Sequence, residues 1–399
     1  MLKKNSIFLK RGSALFFNIG LGFFYSVLLS RFMTVSDRGE FYEYQIAALW
    51  CASISSLSIP QAVVVSIGLD RQIDKFSFYL YLVSGAFLSA VLSYFMVSLV
   101  YLDKSFLFLF FMTYGSMLTI GFVEFFKVNK DFKSFSKAYA LIPFVGFGAS
   151  LFLLLGIPAT LGNTIFLWIS FQFAVFILFL SYFFKEYVLV SNKDALKFSD
   201  PQFTYTAVKL LGLKVIGGIS LNIDKLTFSA IASPIASGLY AVCMSLESIS
   251  TRLFRFSADY LFSQYINNGT KFSKTVLNIH MLAILIGLLG VGAAYLLGGV
   301  IIKLIFGDKF IEATKYLPFI IMNSVLGGWV LMFTQVNLSK KRFKFIYFRQ
   351  ISSILLFCIL IYLVFKPSDP IVVIKCALLV SLFKLIITIV ECIYSSKRS

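Results

Sequence analysis

Apolar runs of membrane-spanning length, cut by short charged segments, fill the chain from end to end. A bilayer's hydrocarbon core takes about 20 apolar residues of α-helix. Cutting at charges, prolines and glycine clusters predicts twelve such spans: 12–33, 42–67, 77–102, 105–126, 138–158, 160–184, 205–232, 236–263, 276–297, 316–338, 345–365 and 370–394. Lipid offers no hydrogen bonds to the backbone, so runs of this kind are read as helices. No connection is long enough to hold a soluble domain. The pattern predicts an all-α polytopic membrane protein.

The spans fall into two sets of six. The longest connection, KEYVLVSNKDALKFSDPQF, starts at residue 185. This predicts an N-terminal six-helix bundle over 1–184, a cytoplasmic linker over 185–204 and a C-terminal six-helix bundle over 205–399. The halves also echo each other. LSRFMTVSDRGEFYEYQIAAL leaves one span and enters the next, and FSAIASPIASGLYAVCMSL does the same 199 residues later. That offset sets Gly39 against Gly238 and Phe41 against Tyr240. Six is even, so both copies share one membrane orientation. Parallel repeats around a central site are an architecture of secondary transporters.

Composition sharpens the class. Hydrophobic residues make up 59% of the chain and charged ones 14%, against about 45–50% and about 25% in soluble domains. The 47 Phe and 20 Tyr suit lipid contact and interfacial belts. A net charge of +18 would suit nucleic acid on one soluble face, but here the basic residues are scattered over many short loops. Counted in alternate loops, 22 Lys and Arg lie on the side of the N-terminus and six on the other. That bias predicts both termini in the cytoplasm. The basic start leads into an apolar run longer than a signal peptide's, without a small-residue cleavage pattern, and is read as the first helix. The five cysteines (Cys51, Cys243, Cys358, Cys376, Cys392) are read as buried thiols, and His280 as interfacial.

The candidate chemistry lies in charges inside spans. SLNIDKLTF at 220–228 carries Asp224 beside Lys225 near the end of the seventh span. A charge facing lipid costs at least about 2.5 kcal/mol, so this face is expected to line an aqueous lumen. Lys214, Gly218, Asn222 and Lys225 fall within about 80° of one another at helical spacing. On the eighth span Ser248, Arg252, Arg255 and Asp259 fall within about 60°. Lys209 and Lys375 are placed to snorkel to the headgroups. The expectation is a central cationic cavity between the halves, bound by Arg31, Lys214, Lys225, Arg252 and Arg255. Arginine's planar fork suits phosphate oxygens. Among the acids, Glu124 is expected to pair with Lys127, Asp259 with Arg255 and Glu391 with Lys384. Asp224 and Glu247 remain as candidates for coupling to a proton or sodium ion. No nucleophile–base pair, metal cluster or Gly-rich phosphate loop is present, so neither an enzyme nor a resident cofactor is expected.

Four stretches carry a resemblance. LLSRFMTVSDRGEFYEY, LSIPQAVVVSIG, LNIDKLTFSAIASPIASGLYAVCMSL and IIKLIFGDKFIEATKYLPFI lie in order along both halves. Together they resemble the multidrug/oligosaccharidyl-lipid/polysaccharide (MOP) exporter superfamily, and most of all its Wzx-type O-antigen flippases. The resemblance implies two pseudo-symmetric six-helix bundles that open alternately to each side of a bacterial inner membrane. It implies a lipid-linked oligosaccharide as cargo: undecaprenyl-pyrophosphate-linked repeat units for O-antigen and lipopolysaccharide biosynthesis. Membrane lipids and the pathway's polymerase and chain-length machinery are the implied partners, around a monomer. Arg31, Asp224 and Lys225 carry over from the family motifs. Lipid II flippases of the superfamily usually have fourteen helices, and the drug exporters a longer chain and a more acidic cavity; this sequence departs from both. Two alternatives stay open: a related exporter of another lipid-linked glycan or small molecule, and an integral-membrane polysaccharide polymerase.

Overall fold

Each apolar span winds into α-helix, because helix alone satisfies the backbone within a single membrane-crossing segment. The structure, a computed structural model, describes residues 2–59, 75–128, 144–186, 201–268, 274–339, 342–364 and 369–397. Its helices are α1 Leu2–Phe32, α2 Val35–Ser55, α3 Lys75–Leu99, α4 Phe106–Val128, α5 Phe144–Leu154, α6 Leu161–Glu186, α7 Pro201–Ile231, α8 Pro234–Asn268, α9 Lys274–Phe306, α10 Leu317–Ser339, α11 Phe343–Val364 and α12 Ile371–Lys397. A 3₁₀ helix, Asp308–Lys315, joins α9 to α10. One helix answers each expected span, and no strand occurs among the described residues.

Seven of these (α3, α6, α7, α9, α10, α11 and α12) are long and apolar enough to cross a membrane. The described apolar stretches of α1, α4 and α5 are shorter. Helices α2 and α8 fall short because charged and hydroxyl residues interrupt them. Boundaries also move. α2 begins at Val35 rather than 42, and α9 runs on to Phe306 through what reads as the start of an outward loop.

The internal repeat is realised in detail. Thr34 Oγ1 accepts the Asp37 N–H at 3.1 Å and caps α2, and Ser233 Oγ accepts the Ala236 N–H at 3.3 Å and caps α8. The offset that pairs Gly39 with Gly238 also pairs Thr34 with Ser233 and Val35 with Pro234. Those positions meet. A Cβ on Gly39 would strike the carbonyl oxygen of Pro234, and a Cβ on Gly238 would strike the carbonyl oxygen of Val35. The two glycines let the first turns of α2 and α8 touch backbone to backbone. One turn further on, Phe41 and Tyr240 are both buried.

The chain divides into two compact units: Met1–Met33 with Glu40–Gly218, and Thr34–Gly39 with Ile219–Ser399. The division falls inside α7; of the expected linker, 187–200 lie outside the described residues. In the first unit α4 packs on α3 and α6 through neutral polar groups, Ser93 Oγ to Thr113 Oγ1 at 3.2 Å and Gln172 Nε2 to Ser116 Oγ at 2.6 Å. Tyr25 stacks on Trp168 at 5.4 Å. In the second unit α8, α9, α11 and α12 all pack on α10.

A buried ion cluster ties the α3–α4 connection to α2. Lys104 Nζ lies 3.0 Å from Glu43, 3.2 Å from Asp103 and 3.7 Å from Glu40, and the Ser105 N–H donates to Tyr44 Oη at 2.7 Å. Burial pulls the Lys104 pKa down, but Glu43 and Asp103 outweigh it and hold the value above the ordinary one. Lys104→Met strands the Glu43 carboxylate and is expected to cost about 3–5 kcal/mol. The stabilisation is complete below the ordinary lysine pKa and is lost only as pH climbs through the raised value. Thermal unfolding of both proteins should therefore show a gap that is constant near neutrality and closes at strongly alkaline pH. Equal melting temperatures at neutral pH would remove the latch from the account.

Candidate functional site

The residues expected to bind an anion divide between the two units. In the first, Arg31 sits in the last turn of α1 and is exposed. Lys214 is half-buried, and its ammonium donates to Ser56 Oγ. Ser56 opens the turn that ends α2, where Leu57 and Ser58 take φ of 51° and 52°. Such left-handed conformations cost residues other than glycine about 1–3 kcal/mol each. One turn along α7, a Cβ on Gly218 would lie 3.9 Å from both Ser53 Oγ and Trp50 Nε1. The Lys214 face of α7 thus meets a polar face of α2.

In the second unit Asp224 and Lys225, both half-buried on α7, are joined by two charges from other helices. Glu247 of α8 and Lys384 of α12 both lie within electrostatic reach of Asp224. Lys384 Nζ donates to the Ser220 carbonyl at 2.7 Å, and Ser220 Oγ bonds Ser353 Oγ of α11 at 2.9 Å. Glu247 accepts a hydrogen bond from Thr251, whose hydroxyl also lies 3.0 Å from Ser324 Oγ of α10. The two candidate coupling carboxylates therefore share one polar cluster. Side chains from five helices, α7, α8, α10, α11 and α12, build it.

Lys384 does not pair with Glu391 as the sequence suggests. Seven residues along a helix span about 10 Å, too far for a direct contact. Arg349 of α11 reaches across instead, with Nη1 2.8 Å from Glu391 Oε2 and 2.9 Å from Thr388 Oγ1. Its Nη2 donates to Thr334 Oγ1 at 2.8 Å, and Asn337 Nδ2 donates to Glu391 at 3.0 Å. Arg349 and Glu391 are each 5% exposed in their side chains. Arg349 falls inside the expected span 345–365, where no role is expected of it from sequence, and the structure buries it in α11. A signal was present: Arg349 follows FIYF within a run that stays apolar to Val364.

Arg252 is half-buried and Arg255 exposed, on one side of α8. The opposite side, about half a turn away at 100° per residue, lines a cavity of about 270 Å³ with α9 and α10. Leu253, Phe254, Ile286, Gly290, Ile321 and Val325 are among its walls, which are almost wholly apolar. The side chains of Glu124 and Asp259 lie outside the described residues, and with them the pairings expected for these acids. One lesser expectation changes: Cys358 is exposed while the other four cysteines are buried. His280 packs against Phe333, ring centroids 4.7 Å apart, and is buried within the protein. Among the described residues no group of three or more His, Cys, Asp or Glu side chains could hold a metal ion.

No family model and no curated protein matches the sequence. Solved structures do match, along nearly the whole chain. A lipid II flippase MurJ in an inward closed conformation is similar at a TM-score of 0.68 and 14% identity, covering 96% of this chain and 87% of its own. The MATE multidrug transporter DinF-BH is similar at a TM-score of 0.68 and 12% identity, covering 97% and 94%. An inward-facing multidrug resistance MATE family transporter of the MOP superfamily is similar at a TM-score of 0.61 and 12% identity, covering 98% and 99%. This chain is a membrane protein with the fold of MOP-superfamily transporters.

Proposed function

We propose that this protein is a flippase that carries undecaprenyl-pyrophosphate-linked polysaccharide repeat units of the O-antigen type across a bacterial inner membrane. The reading is supported by a fold shared with MOP-superfamily transporters, a lipid II flippase among them, and by the basic residues that the sequence sets inside its apolar spans. Arg31, Lys214, Lys225, Arg252 and Arg255 take the pyrophosphate and adjoining sugars from the cytoplasmic leaflet. The apolar cavity between α8, α9 and α10 suits a hydrocarbon chain and would hold part of the isoprenoid tail. The likeness to transporters named for inward closed and inward-facing conformations supports alternating access. Asp224 and Glu247 couple the return step to an ion gradient or to the membrane potential. Both termini lie in the cytoplasm, and the protein acts as a monomer alongside the polymerase and chain-length machinery, without chemistry of its own. A second reading, export of a small molecule, is supported by the equal likeness to a multidrug transporter.

Deletion of the gene in its native host tests the reading. Complete lipid-linked repeat units trapped on the cytoplasmic side, with no surface polymer, are expected. Single units reaching the surface would indicate a lost polymerase, and an unchanged glycan would favour small-molecule export. Within the protein, Arg252→Ala combined with Arg255→Ala removes two charge-assisted contacts of about 1.5–3 kcal/mol each. Export should fall on the order of a hundredfold or more, with protein level and membrane insertion unchanged. Full glycan assembly by this double variant would sink the assignment of those two arginines.

A further inference from the structure

Lys384 is a long cationic side chain inside an apolar helix, and it does not turn toward the headgroups. Its ammonium crosses from α12 to α7 and donates to the Ser220 carbonyl at 2.7 Å. Asp224 lies one helical turn beyond that carbonyl and within electrostatic reach of the ammonium. Ser220 Oγ and Ser353 Oγ lie 2.9 Å apart, so α11 brings a second hydroxyl to the same residue. A backbone carbonyl, two hydroxyls and a carboxylate on neighbouring helices are the oxygen donors that a hard metal cation selects. Of these, the lysine ammonium donates to the carbonyl and feels the field of the carboxylate.

Charge balance points the same way. Asp224 interacts with Lys225, Lys384 and Glu247, so its immediate surroundings hold two acids and two bases. Lys384 also lies within reach of Arg349, whose charge is met by Glu391 at 2.8 Å. Counted together, the six groups sum to zero. An added sodium ion would leave a net positive charge in the membrane interior, where unpaired charge is costly.

We infer that the Lys384 ammonium is the resident cation of this oxygen site and stands where a coupling sodium ion would otherwise bind. The second unit then takes up no metal cation at Asp224, and the proton remains as the ion that Asp224 and Glu247 can exchange. That consequence rests on the flippase reading, in which these two carboxylates couple transport. The occupancy of the site does not, and it can be measured on purified protein without any transport assay.

The experiment is thermal unfolding in detergent, with sodium chloride exchanged for N-methylglucamine chloride at constant ionic strength. The parent protein should melt at the same temperature in both. Lys384→Met should melt lower in N-methylglucamine and recover in sodium, because the vacated donors accept the ion. Lys384→Met with Asp224→Asn should lose the sodium response and regain part of the stability, since both partners are gone. A parent protein stabilised by sodium through Asp224 would overturn the inference. So would a Lys384→Met variant as stable as the parent and indifferent to sodium. If Lys384→Met alone does not fold, recovery of folded protein by adding Asp224→Asn supports the pairing, and failure of that rescue overturns it.

Discussion

Leucine at Gly39 or at Gly238 is expected to leave no folded protein in the membrane. Overpacking among side chains costs about 1–3 kcal/mol, because neighbours can change rotamer. Neither glycine faces a side chain alone. The atoms a Cβ would strike are the Pro234 carbonyl oxygen at one site and the Val35 carbonyl oxygen at the other, both fixed by their own helices. Relief would require moving the first turn of α2 or α8, and with it the caps from Thr34 and Ser233. Even alanine should be damaging at both positions. Gly20→Leu is the control, since nothing lies within 4 Å of a Cβ there. Membrane level and size-exclusion profile of fluorescent fusions decide it. A monodisperse Gly39→Leu protein at parental yield would mean that the backbone crossing is not obligatory.

The second large effect is expected at the buried pair of α11 and α12. Arg349→Met leaves the Glu391 carboxylate buried without its cation, and Glu391→Gln does the converse to Arg349. Breaking one partner of such a pair costs about 3–5 kcal/mol, whereas replacing both by apolar residues is often neutral or better. Each single variant should therefore unfold at a much lower temperature than Arg349→Met with Glu391→Leu. The surviving hydroxyls of Thr334 and Thr388 keep local hydrogen bonds; Thr388 Oγ1 already donates to the Lys384 carbonyl at 2.6 Å. Additive losses in the double variant would show that the two charges do not depend on each other. A stable double variant that retains the proposed transport would assign the pair to architecture and not to transport.

These two cases also mark where sequence reasoning reached and where it stopped. The repeat was legible because its cues are local: a glycine and then an aromatic residue two positions on, in both halves at one offset. Nothing in that text says that the two glycines touch each other, since their contact joins residues almost 200 positions apart. The charge partners were less legible. Helical spacing put Glu391 and Lys384 on one face, but it could not say that α11 presents Arg349 to Glu391 while α7 presents Ser220 and Asp224 to Lys384. The polar seam between Lys214 and Ser56 was hidden for the same reason.

The sequence by itself determined the class of protein and, among the described residues, the helices and their order. Those follow from bilayer thickness and from the need to satisfy each backbone group within its own segment, both of which act on contiguous residues. Only the tertiary structure decided which charges meet, which cation fills which set of oxygens, and that the α8 face opposite its arginines borders an apolar cavity. A side chain's partner in the membrane is set by the helix that packs against it and by a reach of a few ångströms. Neither quantity is written along a single strand of sequence.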